Sequence, residues 1–187
     1  MLRRDLFKLF ICYFLAIMAV LSQKTPYAYS EESVPREYVL KTSIILKIFE
    51  FIKWPEEKMI HNSEPQFVLC IVGSNPFGNL FQRAQQEGVF RNKLIVKNFS
   101  SGSDLDSCHL AYIGESENEN LEEVLHRTKG RPILFVGDTP GYSQRGVGIN
   151  FVILNNRIRF KINRRAVEDR DIRISSELLN LAILVDE

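Results

Sequence analysis

A chain of 187 residues, 45% of them hydrophobic, is long enough for one domain with a full core. Its charged fraction of 25% is ordinary for a folded protein and excludes a low-complexity chain. The formal net charge of +1 gives no electrostatic drive toward nucleic acid, so we expect no nucleic-acid partner.

The first 30 residues have the layout of a secretory signal peptide. Three basic residues precede an apolar run over residues 9–21, and small residues stand at Ala28 and Ser30, the two positions that a signal peptidase reads. The run is shorter than the ~20 residues that span a bilayer, which favours cleavage after Ser30 over an uncleaved anchor. The sequence therefore predicts a signal peptide at residues 1–30, a mature domain at 31–187, and no second domain.

Cleavage leaves two cysteines, Cys70 and Cys108, because Cys12 lies inside the apolar run. Cys12 also lacks the small preceding residue that lipidation needs, which argues against a lipoprotein. An exported chain with two cysteines favours one disulfide. Two separate buried thiols are the alternative. The mature chain has 20 Lys and Arg against 22 Asp and Glu, so it is mildly acidic.

The spacing of apolar residues predicts a mixture of helices and short buried strands. The first helix has Ser33 as its cap and Pro35 in its first turn. The predicted strands are short, and apolar and polar residues do not alternate along them. This pattern suits a largely parallel sheet covered on both faces in an α/β domain. In chain order, the predicted elements are helix 35–54, loop 56–65, strand 66–72, helix 77–87, strand 93–99, strand 109–113, helix 120–128, strand 133–136, a hairpin over 149–163 and a final helix 175–185.

The hairpin has a distinct charge pattern. Asn155 and Asn156 tolerate the positive φ angles of a tight turn. After the turn, Arg157, Arg159 and Lys161 alternate with apolar residues, which predicts one basic face and one apolar face.

The common nucleotide and metal motifs are absent from the sequence. It has no phosphate-binding loop, and the glycines before the hairpin precede a strand where a dinucleotide fingerprint must open a helix. The turn over residues 73–78 could offer a helix N-terminus to an anion, although a capped strand-to-helix turn explains it better. His61, His109 and His126 are isolated, so we expect no metal and no cofactor.

Catalytic patterns are missing as well. There is no G-x-S-x-G nucleophile elbow. Asp138 ends a buried strand, where α/β enzymes place acids, but no His or Lys accompanies it in a recognisable motif, and a turn-forming role explains it better. We therefore expect no catalytic residues and favour a binding or regulatory module. An enzyme or solute-binding protein that uses the loop over residues 138–148 is the competing class.

A set of segments, in this order and spacing, resembles the YfiR family of small periplasmic regulators. The segments are residues 51–55 (FIKWP), 67–73 (FVLCIVG), 75–78 (NPFG), 108–113 (CHLAYI), 133–138 (ILFVGD), 148–151 (GINF), 156–163 (NRIRFKIN) and 174–179 (ISSELL). The resemblance covers nearly the whole predicted mature chain.

The resemblance implies a Rossmann-like single domain that dimerises and has no catalytic activity. It implies a repressor that binds the periplasmic part of an inner-membrane diguanylate cyclase of the YfiN type and that a YfiB-type outer-membrane lipoprotein can sequester, so that cyclic di-GMP and biofilm formation are controlled. It also implies a disulfide between Cys70 and Cys108. The second disulfide of some relatives has no cysteines here, and Lys161 stands where relatives often carry an acidic residue. A membrane histidine kinase or another sensor is the alternative partner.

Two surfaces are candidates for contacts with other proteins. The hairpin region, with Phe151, Arg157, Arg159 and Lys161, is the expected partner-binding site, and a plain solvated strand face is the alternative. The first helix has more apolar residues than one core-facing stripe needs, so we expect it to contribute to a homodimer. Burial of that helix within one subunit is the alternative.

Overall fold

The computed structural model describes residues 34–59, 66–90, 93–100 and 103–185. The predicted signal peptide lies outside the described residues, and so does Ser33, the predicted cap of the first helix. No helix within the described residues is both long enough and apolar enough to cross a membrane.

The described residues form short helices and strands that alternate along the chain. The helices are α1 (Arg36–Phe51), α2 (Glu56–Met59), α3 (Leu80–Gln86), α4 (Leu121–Arg127), α5 (Arg164–Glu168) and α6 (Ser176–Leu181). The strands are β1 (Ile52–Lys53), β2 (Gln66–Val72), β3 (Lys93–Phe99), β4 (Leu110–Ile113), β5 (Leu134–Gly137), β6 (Ile149–Leu154), β7 (Arg157–Ile162), β8 (Arg173–Ile174) and β9 (Ile183–Leu184). Single 3-10 turns occur at Glu115–Glu117 and Tyr142–Arg145.

Seven of the strands form one sheet in the order β3-β2-β4-β5-β6-β7-β9. The β6–β7 hairpin is antiparallel and every other neighbouring pair in this sheet is parallel. In the register of the sheet, Leu69 of β2 lies opposite Leu110 of β4, and Ile149 of β6 lies opposite Ile162 of β7. The predicted single Rossmann-like α/β domain with a largely parallel sheet is confirmed.

Helices cover both faces of the sheet. One apolar cluster lies under α1, α3 and α6, which contribute Ile45, Phe81 and Leu178. The other cluster lies under α4 and includes Val124 and Cys70. Because successive residues of a strand face opposite sides, a strand that contributes to both clusters must be apolar throughout. This explains the unalternating runs in the sequence.

Helix α1 begins and ends differently from the prediction. It ends at Phe51, before the predicted residue 54, because β1 then pairs antiparallel with β8. Most of its apolar residues are buried within the subunit, and its exposed large apolar side chains are Val39 and Leu40. The apolar residues of α1, from which we predict self-association, therefore lie mainly in the core of the subunit itself.

The predicted hairpin is present, and its turn has the expected backbone. Asn155 and Asn156 have φ angles of 50° and 58°. The predicted final helix is too long: α6 ends at Leu181, and β9 then pairs in parallel with the last two residues of β7. The chain gains a backbone hydrogen bond there, because the Val185 N–H donates to the Ile162 carbonyl at 3.0 Å.

Three further differences concern short helices. The predicted loop over residues 56–65 contains α2 at its start. Helix α3 begins at Leu80, three residues after the predicted start, because residues 76–79 form a turn. Helix α5 has only five residues, too few for a periodic pattern to indicate, although Asn163 caps it by accepting from the Ala166 N–H.

Candidate functional site

In an open α/β sheet, ligands bind at the carboxyl ends of two neighbouring strands whose connections run to opposite sides. Here the two strands are β2 and β4, because the chain passes from β2 to β3 on one side and from β4 to β5 on the other. A ligand of this fold would therefore bind in the crevice that follows Val72 and Ile113.

The chain itself fills this crevice. Ser116 Oγ accepts a hydrogen bond from the Ser74 N–H at 2.8 Å. A Cβ atom added at Gly73 would lie 2.3 Å from Ser116 Oγ and 2.6 Å from Glu117 Cγ, so the first 3-10 turn sits directly against the end of β2. The first 3-10 turn therefore occupies the part of the crevice next to Gly73.

The turn after β2 is held by its own side chains. Asn75 Oδ1 accepts from the Phe77 N–H at 2.9 Å, and Asn75 Nδ2 donates to Asn98 Oδ1 at 3.0 Å. These bonds favour the capped-turn interpretation over an anion site. Among the described residues, no group of three or more His, Cys, Asp or Glu side chains is placed to hold a metal ion.

Asp138, at the carboxyl end of β5, is the centre of a polar cluster. Lys41 of α1 is 2% exposed and its Nζ lies 2.5 Å from Asp138 Oδ2. Lys41 also pairs with Glu37, one turn earlier on the helix. The Tyr38 hydroxyl donates to the same Asp138 oxygen at 3.1 Å. Asp138 is thus more than a turn residue, because its contacts with Lys41 and Tyr38 join α1 to the sheet.

Two tyrosines, Tyr38 and the buried Tyr112 of β4, interact with Asp138 and stay protonated at neutral pH. Burial, reinforced by the Asp138 carboxylate, raises the pKa of Tyr38 to about 12. The same two causes, in the same order, raise the pKa of Tyr112 well above its ordinary value. Beside them lies a cavity of about 180 Å³, lined in part by Phe151 and Glu115. The cavity is small, and the charges of Lys41, Glu37 and Asp138 beside it pair with one another. Both features suit a structural role for the cluster.

One sequence signal pointed to this cluster. Lys41 stands four residues before Ile45, on the stripe of α1 that faces the core. A lysine at a buried helical position needs a carboxylate partner, because an unpaired buried charge is costly. The pattern does not identify the partner, which lies 97 residues away in the chain.

The structure contains a disulfide between Cys70 in β2 and Cys108 just before β4. The two Cα atoms are 5.8 Å apart and both residues are fully buried. Neighbouring parallel strands bring the two positions together, because Cys70 lies opposite Ala111 in the register. The bond therefore joins two neighbouring interior strands of the sheet.

The four residues of the predicted partner-binding site do not form one surface. Arg157 and Arg159 are exposed and Lys161 is half-buried. Phe151 is 1% exposed and belongs, with Phe160, to the apolar cluster under α1. Alternation along β7 places the three basic residues on the face opposite Phe160. The contact role of the basic residues stays a prediction, and Phe151 lies in the core.

The end of the hairpin has the features of a contact surface. A groove of about 520 Å³ is lined by Leu154, Asn155, Arg157, Arg159 and Ile183. Leu154 is 45% exposed and its neighbour Ile153 is 56% exposed. Strand β9 covers β7 only at its last two residues, so the edge of β7 before them is unpaired within the described residues. A groove with apolar walls, a basic rim and an open strand edge can bind an extended segment.

Comparison with known proteins agrees with the earlier resemblance. A family model described as YfiR/HmsC-like matches residues 38–183, from the first turns of α1 into β9. No curated protein matches the chain. The match covers far more than half of the chain and includes the disulfide, the Lys41–Asp138 pair and the hairpin. The chain therefore belongs to the YfiR/HmsC-like family.

Proposed function

We propose that the protein is a periplasmic negative regulator. It binds the periplasmic part of an inner-membrane diguanylate cyclase of the YfiN type and lowers cyclic di-GMP output, and thereby biofilm formation. The observation that carries this proposal is the family match over residues 38–183, because the family consists of periplasmic regulators of the cyclic di-GMP system. The export signal predicted at residues 1–30 supports the location.

A regulator fits the described residues better than an enzyme does. The crevice where α/β enzymes bind substrates is filled by the 3-10 turn around Ser116. The acid at the strand end, Asp138, is engaged by Lys41 and Tyr38. What remains accessible is a surface that suits protein contacts.

The hairpin end is the proposed contact surface for the cyclase. Arg157 and Arg159 rim the groove beside the open edge of β7, and Leu154 adds exposed apolar area. A partner segment that pairs with this edge would gain backbone hydrogen bonds, and acidic side chains on it would meet the arginines. Such charge complementarity increases association rate and specificity more than affinity.

Two further partners belong to the proposal. A YfiB-type outer-membrane lipoprotein sequesters the regulator and so releases the cyclase. The regulator is also a homodimer, to which the exposed Val39 and Leu40 of α1 contribute apolar contact area. Sedimentation of residues 31–187 should show a dimer at high micromolar concentration, and a monomer under those conditions contradicts this part of the proposal.

The cellular test is a deletion with complementation. Deleting the gene should raise cellular cyclic di-GMP, and an exported wild-type copy should lower it again. An exported Arg157→Glu, Arg159→Glu copy should accumulate to the same level but fail to lower it, because the rim of the groove has changed sign. The matched control is Arg83→Glu on α3, which is exposed and lies at the opposite end of the sheet.

Two outcomes would contradict the proposal. If deletion leaves cyclic di-GMP and surface attachment unchanged while a membrane histidine kinase loses control of its output, the partner is that kinase. If the double variant represses as well as wild type, the hairpin end is not the contact surface.

A further inference from the structure

The basic residues of β7 lie among apolar residues on one face of the sheet. Each of them has an apolar cross-strand partner, and cross-strand partners share a face. The pairs are Arg157 with Leu154, Arg159 with Val152, and Lys161 with Ile183. A basic row on β7 therefore runs between an apolar row on β6 and an apolar residue of β9. The groove of about 520 Å³ at the end of the hairpin lies on this face.

The two arginines of this row are available to an anion. Arg157 and Arg159 are exposed, and neither forms an ion pair within the residues that the structure describes. The predicted mature chain has 20 Lys and Arg against 22 Asp and Glu, so the row is a local positive region on a mildly acidic protein. Charge complementarity at this place requires an anionic partner.

The tip of the hairpin also exposes apolar side chains, and it does so on both of its faces. Ile153 is 56% exposed and Leu154 is 45% exposed. The two residues are consecutive in β6, so Leu154 shares the face of the arginines and Ile153 lies on the other face. A single peptide in the groove would cover Leu154 and leave Ile153 in water. A bilayer surface surrounds the tip and can cover both.

We propose that the end of the hairpin docks on an anionic phospholipid bilayer. The guanidinium groups of Arg157 and Arg159 pair with headgroup phosphates, whose oxygens match their forked N–H donors. Ile153 and Leu154 enter the boundary between headgroups and acyl chains. Surface binding of this kind gains from buried apolar area and from attraction to anionic lipid together.

Docking on lipid would regulate the hairpin end as a contact surface, and this consequence rests on the proposed function. Arg157 and Arg159 can pair with one anionic partner at a time, so the bilayer and the cyclase compete for them. The lipid then sets how much of the regulator is free to bind the cyclase. Docking itself requires no cyclase.

The test is co-sedimentation of residues 31–187 with vesicles of phosphatidylglycerol mixed with phosphatidylcholine, compared with phosphatidylcholine alone. The chain should bind the anionic vesicles, bind the neutral ones far more weakly, and dissociate as salt is raised. Arg157→Gln and Arg159→Gln should each weaken binding roughly fivefold, the ordinary contribution of one basic residue near an anionic surface. Ile153→Ser should also weaken it, because apolar area is lost.

The matched control is Arg83→Gln on α3, an exposed arginine at the opposite end of the sheet, which should bind as wild type does. All four positions are exposed, so unchanged urea unfolding separates lost docking from lost folding. Failure to bind anionic vesicles overturns the proposal, as does an equal loss in Arg83→Gln.

Two further results count against the bilayer as the occupant. Wild-type binding by Ile153→Ser would show that the tip does not enter the bilayer. Binding of soluble glycerol 3-phosphate that depends on Arg157 and displaces the vesicles would assign a site for a free phosphate. Because the vesicles contain no cyclase, a deletion that leaves cyclic di-GMP unchanged would contradict the proposed function without changing the vesicle result.

Discussion

Lys41 Nζ lies 2.5 Å from Asp138 Oδ2 and joins the first helix to the carboxyl end of β5. Both side chains are largely removed from water, with 3% and 12% of their area exposed. The pair lies at the centre of a network in which Glu37 accepts from Lys41 and Tyr38 donates to Asp138. The position that an α/β enzyme uses for an acid thus serves here to fix α1 on the sheet.

Replacing Lys41 by Met should destabilise the protein by about 3 kcal/mol, because the change leaves the Asp138 carboxylate without its cation. Urea unfolding of residues 31–187 measures the effect. The control is Lys47→Met on the same helix, whose side chain is 61% exposed and pairs with the exposed Glu50. That change should cost less than about 1 kcal/mol.

A double-mutant cycle sharpens this prediction. Asp138→Asn should lower the free energy of unfolding much less in the Lys41→Met background than in wild type. In that background the Asp138 carboxylate has already lost its cation, so its removal breaks no ion pair. Additive effects, or equal losses for Lys41→Met and Lys47→Met, would show that the pair contributes little to stability.

Alkaline pH should destabilise the protein through Tyr38. Its pKa is raised from 10 to about 12 in the folded state, so the unfolded chain loses this proton first as the pH rises. The contribution to stability is complete below pH 10 and is lost between pH 10 and 12. Tyr112 acts in the same direction. The free energy of unfolding should therefore fall less steeply over this range in Tyr38→Phe than in wild type. Identical slopes for the two proteins would contradict the assignment.

Loss of the disulfide should destabilise the protein by about 4 kcal/mol. The two cysteines are separated by 38 residues, and the chain-entropy model gives this order of magnitude for such a loop. Comparing Cys70→Ala, Cys108→Ala with wild type in urea measures it. Thiol titration of the unfolded, unreduced residues 31–187 should find no free thiol. Two free thiols per chain would rule the bond out.

The sequence by itself determined the elements that depend on local patterns. Unalternating apolar runs such as 66–72 are what a strand buried on both faces requires, and the structure places β2 inside the sheet, between β3 and β4. Asn155 and Asn156 adopt the positive φ angles that their short polar side chains tolerate, so the hairpin turn was predictable from two residues. The order of these elements was enough for the parallel α/β class.

The tertiary structure decided the features that depend on distant residues. Lys41 finds Asp138 97 positions away, and no periodicity in the sequence encodes that pair. The final helix stops at Leu181 because the next residues gain hydrogen bonds from β7, an outcome that its apolar pattern cannot reveal. Phe151 is buried for a similar reason, since the face of β6 that it occupies is set by α1 packing over it. Local propensity selects helix or strand, whereas long-range contacts decide where each element ends and which side chains reach the surface.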